Sequence, residues 1–122
     1  MYHDWPDLTT TLIGAIRELR GGSPEVMKSF SAMARTALEA KALDTKTKEL
    51  IALAIAVATR CDGCVGFHAE AAHRQGASRE EVLETMGMAI YMGAGPSVMY
   101  AAQALEAFDQ FAGRAATGTP AA

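Results

Sequence analysis

The chain has few cysteines, few aromatic residues and no block of basic residues. Only two of its 122 residues are cysteines and 7% are aromatic, whereas 50% are hydrophobic. A core with few rings and many small or aliphatic side chains is typical of closely packed helices, so we expect an all-α fold. The length fits a single core. We therefore expect one domain over residues 1–112 and a flexible tail over residues 113–122.

Charge and hydropathy argue against two classes of partner. The 11 basic and 14 acidic residues give a net charge of -3, and the basic ones are scattered along the chain, which gives little support for nucleic-acid binding. No stretch approaches the roughly 18 apolar residues that a membrane span needs. The segment from Met1 to Leu12 lacks a positive region followed by an apolar run. We expect a cytoplasmic protein that binds neither nucleic acid nor membrane.

Hydrophobic periodicity and capping residues predict about six helices. The first has Asp7 as its cap and ends at Arg20, and the others span about residues 24–40, 48–60, 64–75, 79–92 and 97–111. The third is so apolar that we expect more than one of its faces to be buried. Gly93-Ala94-Gly95-Pro96 predicts an interruption before the last helix. Such apolar helices in so short a chain also favour an oligomer.

Cys61 and Cys64, the only cysteines, lie three positions apart. This spacing is typical of redox or metal chemistry inside cells and is too small a framework to staple a secreted domain. In the first turn of a helix the two thiols come within disulfide reach, and the unpaired N–H groups there favour a thiolate. His68 follows Cys64 by four residues, so all three side chains share one helix face, where His68 could exchange a proton.

Other interpretations of these residues stay open. Cysteine is a common small core residue, and an isolated C-x2-C is a weak signal. Zinc could use the two thiols with His68 and His73, but a separation of five residues rotates these histidines about 140° apart on a helix. We expect no metal and no cofactor. Glu49, at the start of the apolar third helix, is either solvated or buried against a partner.

Glu49, Cys61, Cys64 and His68 form the pattern E-x11-C-x2-C-x3-H. With the surrounding segments KELIAL and CVGFH, and with MGAGP at residues 92–96, this pattern resembles the alkylhydroperoxidase AhpD-like branch of the carboxymuconolactone decarboxylase family. The resemblance covers about residues 30–111. It implies an all-helical fold, assembly as a trimer or hexamer, and hydroperoxide reductase activity.

The resemblance also implies a role for each residue of the pattern. Cys64 is the peroxidatic thiolate, Cys61 is the resolving thiol, and His68 with Glu49 forms a proton relay. The implied partners are a hydroperoxide substrate and a dithiol reductant such as a lipoyl-bearing protein. For the relay to form, Glu49 has to meet His68 by an antiparallel return of the next helix, because it would lie about 18 Å before Cys61 on a straight helix.

One position departs from the AhpD pattern, and two other functions compete. AhpD has a histidine directly before the second cysteine, whereas this chain has Gly63, which removes an auxiliary acid–base group. One competing function is lactone decarboxylation, the other activity in the family, which uses a histidine base rather than a thiol pair. The second is a non-enzymatic helical oligomer in which Cys61 and Cys64 form a structural disulfide.

Overall fold

The computed structural model describes residues 1–117, and within that range it consists of helices with no strand. The five helices are α1 (Trp5–Gly22), α2 (Pro24–Leu38), α3 (Thr45–Thr59), α4 (Asp62–Arg74) and α5 (Arg79–Ala116). The predicted all-α fold is confirmed. None of these helices combines the length and apolar character needed to cross a membrane.

Capping residues account for where the helices begin. Asp44 accepts a backbone N–H in the first turn of α3, and Ser78 forms a reciprocal capping box with Glu81 at the start of α5, as such sequences predict. The start of α1 was predicted wrongly. Asp4, not Asp7, is its cap, because the Asp4 carboxylate accepts the Asp7 N–H at 3.0 Å.

The last two predicted helices form one kinked element, so there are five helices rather than about six. Only Ala94 leaves the helical conformation, with φ 54° and ψ -139°. Two residues later Pro96 lacks the N–H that a helix interior requires, and the local break accommodates it. The helix resumes at once, with the side chain of Ser97 buried over Gly93.

The C-terminal end of α5 corrects part of the predicted tail. The helix continues through residues 113–116, so these four residues are helical rather than a flexible extension. Residues 118–122, the remainder of that prediction, lie outside the described residues.

The core lies where α3, α4 and α5 pack together. Alanine supplies much of it, which lets the helices approach closely. Its fully buried members include Leu53, Val57, Val65, Ala69, Ala72, Val82, Ala104 and Ala107. The composition-based expectation of a core with few aromatic rings is met, although Trp5 of α1 is also completely buried.

Helix α1 packs on a glycine track of α4. A Cβ added to Gly66 would lie 2.7 Å from Thr9 Cγ2, and one added to Gly63 would lie 2.5 Å from Leu12 Cδ2. Later residues of α1 therefore meet earlier residues of α4, which makes the two helices antiparallel. The second half of α1 consequently extends towards and past the N-terminal end of α4.

Glu106 of α5 holds the start of the chain in place. Its carboxylate accepts the backbone N–H groups of Tyr2 and His3 at 2.6 and 3.1 Å, and the indole N–H of Trp5 at 2.8 Å. Burial on its own would raise the pKa of Glu106, but these three donors and the N-terminal charge lower it. The N-terminal segment is thus an integral part of the fold.

Several apolar side chains face outward from the single chain. Helix α2 buries none of its residues, and its apolar stripe of Val26, Phe30 and Met33 is 68%, 57% and 61% exposed. On α3, Ile51 and Ile55 are also exposed. The expectation that α3 buries more than one face is therefore wrong for a single chain.

Candidate redox site

A sharp reversal between α3 and α4 positions the two cysteines. The N–H of Arg60 bonds to the Val57 carbonyl and the N–H of Cys61 bonds to the Ala56 carbonyl, which is the hydrogen-bond pattern of a Schellman motif. Arg60 adopts the left-handed conformation, with φ 56°, at a position where glycine is more usual. The chain turns back at this point, and α4 returns along α3.

Cys61 and Cys64 are joined by a disulfide across the first turn of α4. Cys61 is the N-cap residue, and its sulfur accepts the Cys64 N–H at 3.2 Å. Both residues are partly exposed. The pair therefore lies at the positive end of the helix dipole, where a thiolate is stabilised after reduction, and it is within reach of a small reactant.

Glu49 and His68 meet across the α3–α4 interface. Glu49 Oε1 lies 2.8 Å from His68 Nδ1, and Glu49 is 6% exposed. Glu49 is therefore buried against a partner rather than solvated. Its contact with His68 is the one that an antiparallel return of α4 was expected to produce. A carboxylate oxygen can only accept, so the ring nitrogen facing an ionised Glu49 is Nδ1–H. The other nitrogen, Nε2, is then the one that can exchange a proton.

The four residues of the sequence pattern thus lie along the interface of two adjacent helices, with the cysteines at the turn between α3 and α4 and the Glu49–His68 pair further along it. His68 is one helical turn beyond Cys64 on α4, and residues four apart on a helix are neighbours. Glu49 supports His68 from α3. The site therefore consists of the buried Glu49 carboxylate, the His68 imidazole, whose side chain is one-third exposed, and the Cys61–Cys64 disulfide at the N-terminus of α4.

Gly63, where AhpD has a histidine, faces α1. The side chain of Leu12 occupies the space in which a Cβ at Gly63 would project. A larger residue there requires Leu12 to move. Apolar packing by α1 therefore fills the space beside Gly63.

Tyr100 is a neighbour of the redox motif that the sequence did not indicate. It lies in the second half of α5, and the carboxylate of Asp62, the residue between Cys61 and Gly63, together with burial raises the pKa of Tyr100. The kink at Ala94 precedes the segment that carries Tyr100. No spacing rule in the sequence connects positions 62 and 100.

The histidine considered as a further metal ligand lies elsewhere. The His73 ring packs edge-on against Phe108, with ring centroids 5.7 Å apart. Within residues 1–117, no group of three or more His, Cys, Asp or Glu side chains is arranged to hold a metal ion.

The chain is therefore an all-helical domain in which a C-x2-C disulfide lies near a buried Glu–His pair. The particular family follows from comparison with known proteins. The model of the carboxymuconolactone decarboxylase family matches residues 24–107, and the chain belongs to that family. Helix α1 precedes the matched region.

Relatives of similar length occur in bacteria. An uncharacterised protein from Cupriavidus necator is 41% identical over 106 residues, covering 84% of this chain and 94% of that protein. An uncharacterised protein from Haemophilus influenzae is 41% identical over 108 residues, covering 88% of this chain and 96% of that protein.

Two solved structures share the fold. A carboxymuconolactone decarboxylase family protein from Legionella pneumophila, solved in its apo form, has a TM-score of 0.86 and 51% identity, covering 88% of this chain and 96% of the other. A family member from Thermotoga maritima, for which a part in the antioxidative response has been suggested, has a TM-score of 0.80 and 25% identity. That match covers 92% of this chain and 98% of the other.

Proposed function

We propose that this protein is a hydroperoxide reductase that works through the Cys61–Cys64 pair. The observation that carries the proposal is the partly exposed disulfide at the start of α4, one turn from the hydrogen-bonded His68 and Glu49. The suggested antioxidative part of the Thermotoga maritima relative supports the same chemistry. No cofactor is required, because the two thiols carry both electrons.

The cycle begins with the reduced pair. The Cys64 thiolate attacks the terminal oxygen of a hydroperoxide, the O–O bond breaks, and Cys64 becomes a sulfenic acid while an alcohol leaves with one proton. The Cys61 thiol then attacks the Cys64 sulfur, forming the disulfide and releasing water. A dithiol reductant attacks the disulfide, restores both thiols and leaves as its own disulfide.

His68 and Glu49 act on the protons of this cycle. The Nε2 atom of His68 takes the proton from the attacking thiol and returns it to the departing alkoxide, either directly or through water. Glu49 holds the ring orientation through Nδ1 and stabilises the imidazolium that forms transiently. Because Gly63 supplies no second acid–base group, we expect the turnover to rest on this single relay.

The reductant is a dithiol, and a lipoyl-bearing protein has the required chemistry. One dithiol returns both electrons without leaving a mixed disulfide on the enzyme. Such a cycle needs a reducing compartment, which agrees with the expected location in the cytoplasm.

A purely structural role for the disulfide has weaker support. A loop of four residues restricts the unfolded chain little, so closing it stabilises the fold by about 2 kcal/mol or less. A structural disulfide also requires neither a buried carboxylate nor an imidazole one turn away, and this site has both.

We also propose that the chain assembles as a homo-oligomer, either a trimer or a hexamer. The outward apolar stripe of α2, formed by Val26, Phe30 and Met33, is larger than scattered exposure would explain. Ile51 and Ile55 on α3 are exposed as well. A second copy of the chain is an occupant that would remove these side chains from water.

Peroxide consumption by the pure protein with a dithiol reductant tests the proposed function. We expect turnover by the native protein and its loss in Cys64→Ser, with Cys61→Ser accumulating a sulfenic acid that a dimedone probe traps on Cys64. Peroxide consumption that is unaffected by Cys64→Ser would refute the proposal. Turnover of carboxymuconolactone by a Cys61→Ser/Cys64→Ser variant would instead support the decarboxylase function.

A further inference from the structure

The second half of α1 carries a stripe that combines apolar and basic side chains. Ile13, Ile16, Arg17 and Arg20 follow the i, i+3, i+4, i+7 spacing that places residues on one helix face. Together with Phe67 of α4 they line a groove of about 380 Å³. That volume lies within the range of small-molecule sites.

The two arginines give the groove a positive end. Elsewhere in the chain Arg74 and Arg79 pair with Glu70 and Asp109. By contrast, within residues 1–117 neither Arg17 nor Arg20 has a carboxylate within 4 Å. Among the described residues, Arg20 donates to the Ser31 hydroxyl, at 3.2 Å. Two cations without acidic partners beside apolar walls are complementary to an anion with a hydrocarbon chain.

The groove lies at the redox end of α4. Because α1 runs antiparallel to α4 and Leu12 already contacts Gly63, the residues that follow Leu12 continue past the turn that carries the disulfide. The apolar wall from α4 is Phe67, which is three residues after Cys64. Side chains at that spacing have Cβ atoms about 5–6 Å apart. A chain bound along Phe67 can therefore extend towards the Cys64 sulfur.

We propose that this groove binds an amphipathic monocarboxylate. Its carboxylate is held by Arg17 and Arg20, and its hydrocarbon chain lies along Ile13, Ile16 and Phe67. In the redox cycle, and resting on the proposed function, this makes fatty-acid hydroperoxides the preferred substrate class. Helix α1 precedes the residues that match the family model, so the two arginines that would hold the carboxylate lie outside that match.

Binding is tested first without any reaction. Octanoate and 1-octanol are titrated into the oxidised protein, and backbone amide shifts are followed by NMR. We expect octanoate to shift the backbone amide signals of residues 13–20 and Phe67. It should bind at least about tenfold more weakly to an Arg17→Gln/Arg20→Gln variant, because the charge-assisted hydrogen bonds to its carboxylate are lost. Binding of 1-octanol should not change. Arg35→Gln on α2 is the matched control, and both altered arginines are exposed, so folding is retained.

Three results would overturn the proposal: no octanoate binding, binding elsewhere, or equal binding to the double variant. Turnover provides the second arm. The ratio of kcat/KM for linoleate hydroperoxide to that for uncharged cumene hydroperoxide should fall about tenfold or more in the double variant, and an unchanged ratio would refute the substrate preference. If octanoate binds as expected and neither peroxide is consumed, the groove stands and the proposed reductase function fails.

Discussion

The buried carboxylate of Glu49 on α3 hydrogen-bonds to the imidazole of His68 on α4, at 2.8 Å and across 19 positions of sequence. The contact depends on the reversal at Arg60, which turns α4 back along α3. It places an imidazole one turn from Cys64 and leaves its Nε2 atom as the ring nitrogen that does not face Glu49.

Replacing the carboxylate while keeping its shape should impair the proposed relay. We expect Glu49→Gln to lower kcat/KM for hydroperoxide by about 10²-fold, the lower end of the range for acid–base catalysis, because an amide stabilises an imidazolium poorly. The pH profile of kcat/KM should also change shape. Glu84→Gln, on the exposed side of α5, is the matched control. A uniformly lowered profile of unchanged shape in Glu49→Gln would indicate a merely structural role.

Much of this site could be predicted from the sequence because its determinants are local. Capping at Asp44 and Ser78 and the i, i+4 spacing of Cys64 and His68 are properties of short segments. The Glu49–His68 contact required the family resemblance, since spacing alone left Glu49 either solvated or buried. Tyr100 was missed because its contact with Asp62 depends on how α5 packs after the kink at Ala94.

The sequence could not show which apolar helix faces are buried within the chain and which remain exposed. The side chains of the α2 stripe follow helical spacing in the sequence, but periodicity does not say whether such a stripe faces the chain's own core or another molecule. The glycine track shows a similar limit. In the sequence, Gly63 differs from the AhpD pattern by the absence of a histidine, whereas the structure shows the Gly63 backbone in close approach to Leu12.

Filling the glycine track should loosen α1. In Gly66→Ala the new Cβ meets the buried methyl group of Thr9, and overpacking of this kind costs about 1–3 kcal/mol of unfolding free energy. Thr9→Ser removes that methyl group but keeps the hydroxyl that donates to the Pro6 carbonyl, so it should partly rescue Gly66→Ala. Denaturant unfolding of the two single variants and the double variant measures the coupling.

Gly14→Ala is the control for the glycine substitution. Apart from its chain neighbours and the adjacent backbone of α1, no atom of residues 1–117 lies within 4 Å of a Cβ at that position, so alanine should stabilise the helix by about 0.5–1 kcal/mol. If Gly66→Ala were stabilising to the same extent, the close packing of α1 on α4 would be contradicted.

The N-terminal segment should loosen in acid. The pKa of Glu106 is lowered in the folded protein, so its hydrogen bonds contribute stability above the ordinary glutamate range and lose that contribution as the pH falls through the folded-state pKa. Glu106→Gln should be less stable than the native protein at neutral pH, and the difference should shrink in acid. The measurement is the unfolding free energy of the two proteins across pH 3–8, about the range in which carboxylates titrate. A difference between the two proteins that stayed constant over this range would contradict the prediction.

The apolar stripe on α2 should control assembly. Placing a charge in it by Phe30→Glu should reduce the molar mass measured by light scattering, because burying an unpaired carboxylate at an interface is unfavourable. Ala32→Glu introduces the same charge on another exposed face of α2 and should leave the mass unchanged. An equal mass for Phe30→Glu and the native protein would show that this stripe is not the interface.

The most direct test of the central claim is a single-turnover measurement on the reduced protein. One equivalent of hydroperoxide is added without reductant, and peroxide, alcohol and protein thiols are counted. The proposed cycle predicts that one peroxide is consumed, one alcohol appears and both thiols are lost as the Cys61–Cys64 disulfide. Peroxide that persists while both thiols remain titratable would contradict it.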